Sequence, residues 1–331
     1  MAILRYSAFH GEFLIFNIFK GILNLMNIKA KISTVFLIIL FSSTTYGNAA
    51  ENTDLREYIE DKLVVARSYY RQGFFPPRDP IHFDRALEEY KKILEVDPWH
   101  EEAVVGIADI YTARKNYEEA EKLYRRAIKT DAWNTEYRVK LGFHYVTRDL
   151  YKEALKEADR VIDYEPGNTK AHFIRAIAYG EIGDPSDAIN EYKYAIEYFE
   201  IEGRETLEMD ARLRLGKLYL KENLIFDGVE QYEEVVKSAP KFIPGYLELA
   251  NTYYRLGRVD MSILTLKKLI KINSGVPHAY VMLAIIYFNK GDYDASFAYF
   301  KKAEALEVKF KGALWDTYYK VRRFQEERSK I

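Results

Sequence analysis

Apolar residues recur along the body of the chain at three- and four-residue spacings, the period of a helix buried on one face. Ile107, Ala108 and Tyr111 form one such run. A short polar break at Lys115-Asn116 follows, and a second run continues through Ala120 and Tyr124. The pattern predicts two helices joined by a tight turn, and it returns again and again. Tyr111, Tyr145 and Tyr179 lie 34 residues apart, as do Tyr219, Tyr253 and Tyr287. Three residues before each stands a small residue: Ala108, Gly142, Ala176, Gly216, Ala250 and Ala284. Nine residues after each comes another: Ala120, Ala154, Ala188, Gly228, Ser262 and Ser296. A bulky side chain then follows at Tyr124, Tyr192, Tyr232, Leu266 and Phe300, with Ala158 the exception.

These residue types have a packing reason. Two antiparallel helices approach closely only where side chains are small, and large aromatics fill the grooves beside the contact. Turn residues fall between the halves at Gly183-Asp184, Gly257 and Gly291-Asp292, and Pro166 and Pro240 close two units. One helix pair cannot bury its apolar face alone, so stacked neighbours must do it. Ala86, Tyr90 and Pro98 repeat the second half one unit earlier, after a loop lengthened through Phe75-Pro76-Pro77. Extra residues around Phe199 to Glu208 separate the fourth and fifth units, and Arg175 stands where an aliphatic residue is usual.

Leu-Gly-x-x-Tyr, then Ala, an aromatic and a closing Pro, at a period of 34, resembles the tetratricopeptide repeat. The resemblance implies an all-α superhelix, an α-solenoid of about seven helix-turn-helix units over residues 50–310. Residues 311–331 leave the repeat, with Leu314, Tyr318 and Val321 on one helical face. They are expected to form a solvating C-terminal cap helix, or alternatively a partner-binding helix.

The N-terminus reads differently. Lys29 and Lys31 precede the apolar run from Ile32 to Phe41, and Gly47-Asn48-Ala49-Ala50 supplies small residues after it. Charged region, short apolar core and small-residue exit describe a secretory signal peptide over residues 1–49, cleaved after Ala49 or Ala50. Met26 is a fitting start for it, which makes residues 1–25 a mis-called extension. The alternative is a second apolar segment that anchors the chain in the inner membrane. The expected location is the periplasm or cell envelope, with membrane contact only through an uncleaved N-terminus.

Composition removes several kinds of chemistry. Cysteine is absent, which excludes disulfides, thiol catalysis and thiolate metal sites. Lys plus Arg is 49 and Asp plus Glu is 50, which gives no electrostatic footprint for nucleic acid. Tyrosine is abundant, at 28 residues, in keeping with helices that need bulky packing at regular places. His10, His82, His100, His144, His172 and His278 include no pair three or four residues apart, so no helical metal pair exists. Adjacent acids such as Glu118-Glu119 diverge on a helix and read as solvated faces. No catalytic or phosphate-binding motif is present. The expectation is a protein that is not an enzyme and takes no cofactor or metal.

Surface remains. On each first helix, the residues three before, one after and four after the small residue share one face. In the first two units these are Leu63, Arg67 and Tyr70, then Val105, Asp109 and Thr112. Next come Val139, Phe143 and Val146, then Phe173, Ile177 and Gly180. The last three units give Leu213, Lys217 and Leu220; Leu247, Asn251 and Tyr254; and Val281, Ile285 and Phe288. The family resemblance implies that this stripe lines a concave surface where partner segments lie. Lys217 and Asn251 are its few polar anchors in these later units, so the groove is expected to be apolar. Tight packing of the stripe against itself is the opposing reading. The chain is expected to be a scaffold for another protein or peptide segment in the envelope. One alternative is a transport accessory holding a hydrophobic small ligand in a pore or cavity. A second is a pilus or outer-membrane assembly factor.

Overall fold

The small-residue contacts foreseen from the repeat are what bring the helices together. In the computed structural model, which describes residues 53–74 and 79–328, Ser262 Oγ donates to the Ala250 carbonyl at 2.7 Å. One repeat later, Ser296 Oγ donates to the Ala284 carbonyl at 2.8 Å. Both serines are fully buried. Where alanine closes the same contact elsewhere, a hydroxyl here adds a hydrogen bond between the two helices of the pair.

Fifteen helices and no strand make up the described residues. They form seven pairs: α1 (53–72) with α2 (Pro80–Val96), α3 (Glu101–Ala113) with α4 (Tyr117–Thr130), and α5 (Thr135–Thr147) with α6 (Tyr151–Tyr164). The series continues with α7 (Thr169–Ile182) and α8 (Pro185–Ile201), α9 (Glu205–Lys221) and α10 (Ile225–Ser238), and α11 (Ile243–Arg255) and α12 (Val259–Ile272). The pair α13 (Pro277–Asn289) and α14 (Tyr293–Ala305) ends it, and α15 (Ala313–Arg328) follows. The chain divides into two compact units, one ending at Ile110 and one beginning at Tyr111, so the division falls within α3. The N-terminal stretch with the signal-peptide pattern and Pro76-Pro77 lie outside the described residues.

Helix starts follow local chemistry. Pro80 and Pro185 occupy first-turn positions, where a missing N–H costs nothing. Asp79 caps α2 by accepting from the Ile81 N–H at 3.0 Å, and Asn168 caps α7 by accepting from the Ala171 N–H at 3.1 Å. Two repeat tyrosines tie a first helix to the second helix before it. Tyr145 Oη donates to Glu121 at 2.9 Å and accepts from Arg125 at 2.7 Å, while Tyr253 Oη donates to Glu233. Burial and these carboxylates push both phenols up to about 12.

Three departures from the repeat find their explanation in packing. In the regular fifth unit the Tyr232 ring sits directly on Gly216, where a Cβ would lie 2.6 Å from it. Where Ala158 replaces that aromatic, Ile174 of the next unit fills the place, and a Cβ on Gly142 would meet its Cδ1 at 2.9 Å. Ile174 is fully buried, so the gap closes with an aliphatic from a neighbour. Arg175 pairs with Glu191 of α8 and, at 3.6 Å, with Asp159 of α6. It replaces an aliphatic contact with a charged one that crosses two pairs. The insertion around Phe199 to Glu208 is not a loop: α8 and α9 each run 17 residues, against 14 for α6, α7 and α10. The added turns bury Phe199 completely.

The final helix closes the array. Tyr318 and Val321 of α15 are buried against Ala284 and Phe300, with Leu314 half-buried beside them. Trp315 is largely exposed and only touches the Tyr318 ring, at 5.7 Å between centroids. Arg328 and Gln325 fasten the helix to Asp294 of α14.

Candidate partner-binding face

The stripe along the first helices is not uniform. Val139 on α5 and Phe173 and Ile177 on α7 are interior, with exposures of 1%, 1% and 2%. The Phe173 ring packs edge-on to Phe199 at 5.6 Å and to Tyr192 at 6.1 Å. Phe143 lies tilted against it at 6.1 Å, and Phe143 and Val146 are half-buried against the same cluster. Gly180 is the third stripe position on α7; a Cβ there would lie 4.0 Å from Leu218 Cδ2, in ordinary contact, and Leu218 belongs to the same cluster as Ile177. Val139, Phe173 and Ile177 are therefore core, and Phe143 and Val146 lie at its edge.

Further on, the face opens. Lys217 on α9 and Asn251 on α11 are exposed. Leu213, Leu220, Leu247 and Tyr254 are half-buried, each with one side against the cluster around Tyr246 and Leu249. Val281, Ile285 and Phe288 on α13 are half-buried as well, and Phe288 meets the Tyr293 ring at 5.6 Å. Polar side chains bridge successive first helices along this face. Asn289 Nδ2 donates to Tyr254 Oη at 2.5 Å, and Lys221 Nζ donates to the Gly180 carbonyl at 3.4 Å. Between α5 and α7, Lys170 Nζ reaches both Glu136 oxygens at 2.8 Å. In the first unit Arg67 grips Glu102 through two bonds of 2.6 Å and adds Glu60 at 3.1 Å.

The sequence reading missed Lys170, Lys221 and Asn289 on this face. The signal was present: Lys221 and Asn289 lie one turn after the stripe residues Lys217 and Ile285, in matching repeat positions, and Lys170 lies one turn before Phe173. Lys221 and Asn289 enlarge the polar complement beyond Lys217 and Asn251. Among the described residues, no group of His, Asp and Glu is arranged to hold a metal ion. No described helix is long and apolar enough to cross a membrane.

Behind the stripe, His172 sits between two acceptors, with Nδ1 at 2.6 Å from Glu191 and Nε2 at 2.8 Å from the Pro166 carbonyl. Burial alone would raise the Glu191 carboxyl. Hydrogen bonds from His172 and Arg175 outweigh it and hold the group below the usual carboxylate range. This cluster ties α8 to α7 and serves the scaffold.

Two tetratricopeptide-repeat family models match, one over residues 82–142 and the other over 243–275 and 277–307. The chain is a tetratricopeptide-repeat protein. A tetratricopeptide repeat protein from Parabacteroides merdae has a similar structure at 15% identity and a TM-score of 0.55, covering 80% of this chain and 99% of that one. PilW, a widely conserved type IV pilus biogenesis factor, is similar at 16% identity and a TM-score of 0.52, over 62% of this chain and 92% of its own. Pseudomonas aeruginosa pilF gives 16% identity and 0.52, over 69% and 97%. At these identities the likeness carries the repeat fold alone. No curated protein sequence matches the chain.

Proposed function

We propose that the chain is a non-catalytic scaffold whose first-helix face, from α9 to α13, holds a segment of another protein in the cell envelope. The observation that carries this is the change along the stripe. From α9 onward its apolar side chains stay half-buried, and exposed Lys217 and Asn251 stand among them. Half-buried apolar side chains in a row offer contact area, and a few polar groups among them fix the register of what binds. Lysine and amide groups supply donors, so the partner segment is apolar with carboxylates or free backbone carbonyls.

The signal-peptide pattern at residues 1–49 supports an exported protein. The structural likeness to PilW makes pilus or outer-membrane assembly one concrete setting for such a scaffold. A transport accessory that shelters a hydrophobic small molecule calls for an enclosed cavity between repeats, and nothing on the α9–α13 face favours it over a peptide.

The test uses the chain as bait in envelope extract beside two variants, Lys217→Glu and Asn251→Trp. Both positions are exposed, so melting should stay within about 0.5 kcal/mol of the parent. Loss of the captured protein at unchanged melting supports the face. Undiminished capture by both variants counts against it.

A further inference from the structure

A second surface lies on the other helix of the pairs. Phe226, in the first turn of α10, is 81% exposed, and Leu264 of α12 is 63% exposed. Met261 of α12 is also exposed. A cleft of about 380 Å³ runs beside Phe226, with Asp227, Glu230 and Glu233 on its α10 wall and Arg258 at the start of α12 opposite.

The repeat register explains why this place is unusual. Met261 and Leu264 stand 34 residues after Asp227 and Glu230. The outward positions that carry acids on α10 therefore carry apolar side chains on α12. Folding uses neither set. An apolar side chain as exposed as Phe226 contributes almost nothing to the core. Asp227 finds a partial role in the positive end of the α10 dipole, but Glu230 lies beyond the first turn. Glu233 accepts from Tyr253, and no described cation is paired with Asp227 or Glu230.

We propose that this cleft docks a cationic amphipathic segment of a second protein partner. An aromatic or aliphatic side chain of that segment lies in the cleft against Phe226. Its lysines or arginines pair with Asp227 and Glu230. Three carboxylates against one guanidinium give the cleft a negative field, which selects a basic segment and repels an anionic bilayer. The apolar contact supplies the affinity and the acids the choice of partner. The site is separate from the α9–α13 face, so the scaffold holds two proteins at once.

The experiment follows anisotropy of a short labelled peptide in which Phe and Leu alternate with Lys and Arg, added to the full chain. Two control peptides carry Glu for the basic residues, or Ser for the apolar ones. Binding should be seen for the first peptide only and should weaken by about tenfold or more between about 50 mM and about 0.5 M salt. Phe226→Ser and Glu230→Lys should each weaken it by about tenfold or more with unchanged melting, while Lys217→Glu leaves it intact. Failure of Lys217→Glu to lose the groove partner would overturn only the groove, since this cleft is read by its own variants. Three results would overturn the docking site: equal binding by a control peptide, binding unchanged in Phe226→Ser, or no binding at all. Preference for phosphatidylglycerol vesicles over the peptide would assign the patch to a membrane instead. Self-association of the parent that Phe226→Ser abolishes would assign it to a second copy.

Discussion

The helices α5 and α7 and the helices α9 and α11 carry one stripe, yet the first two bury Val139, Phe173 and Ile177 whereas the second two leave Lys217 and Asn251 exposed. Phe173 and Ile177 lie under Leu218 and beside Phe199, whereas Lys217 and Asn251 stand in solvent. The difference has two sources. The middle stripe position changes from Phe143 and Ile177 to Lys217 and Asn251, and the extended α8 brings Phe199 into the cluster that Leu218 completes. Register decides which residues share a face. The side chains at the stripe and those packed over it decide whether that face is surface or core.

The largest effect should come from Phe173→Glu, which places a carboxylate among Tyr192, Phe199 and Phe143. Loss of a buried phenyl alone costs about 3–5 kcal/mol, and an unpaired buried charge adds to it. The variant should unfold or aggregate in thermal melts. A native-like melt would show that the α7 stripe is open after all and erase the distinction from α9.

Deleting 311–331 should come next. Tyr318 and Val321 each cover apolar surface worth about 1.5–3 kcal/mol, and the truncation exposes Phe300 and Ala284. Melting should drop and sedimentation should report self-association. An unchanged, monomeric truncation would show that α15 is not a cap.

Gly216→Ala is a smaller perturbation that compares two ways of filling the helix contact. Its Cβ would lie 2.6 Å from the Tyr232 ring and 3.1 Å from the Gly228 carbonyl, so about 1–3 kcal/mol should be lost in denaturant titration. Gly142→Ala meets only the end of the Ile174 side chain and should cost less. Equal losses would mean that the backbone, not the ring, sets the limit.

The smallest effect concerns acid. The Glu191 carboxyl is held below the usual carboxylate range in the folded chain, so it contributes stability above that range. This contribution disappears as pH falls through the lowered folded value. Glu191→Gln should therefore melt below the parent near neutrality, with the gap closing toward strongly acidic pH. A gap independent of pH would make the loss one of packing.

Much of this architecture was legible in the chain. The tyrosine spacing and the two small-residue positions located the helix pairs, because close helix contacts tolerate few side chains. The break after the last unit marked α15, and Leu314, Tyr318 and Val321 were rightly placed on its covered face. What escaped were effects between neighbouring units. Ile174 replacing the missing aromatic, Arg175 held by Glu191 and Asp159, and Phe199 buried by the lengthened helices all depend on partners about half a repeat or more away in sequence. The interior placement of Val139, Phe173 and Ile177 escaped for the same reason. Lys221 and Asn289 escaped because the stripe was drawn three residues wide.

The central claim is that the open face from α9 to α13 contacts a partner. A photo-crosslinking amino acid placed at Lys217, at Asn251 or, as a control, at exposed Lys193 of the second helix α8 reads this directly in intact cells. The account predicts one discrete protein adduct shared by positions 217 and 251 and absent from 193. Adducts of equal yield from all three positions, or none from 217 and 251, would contradict it.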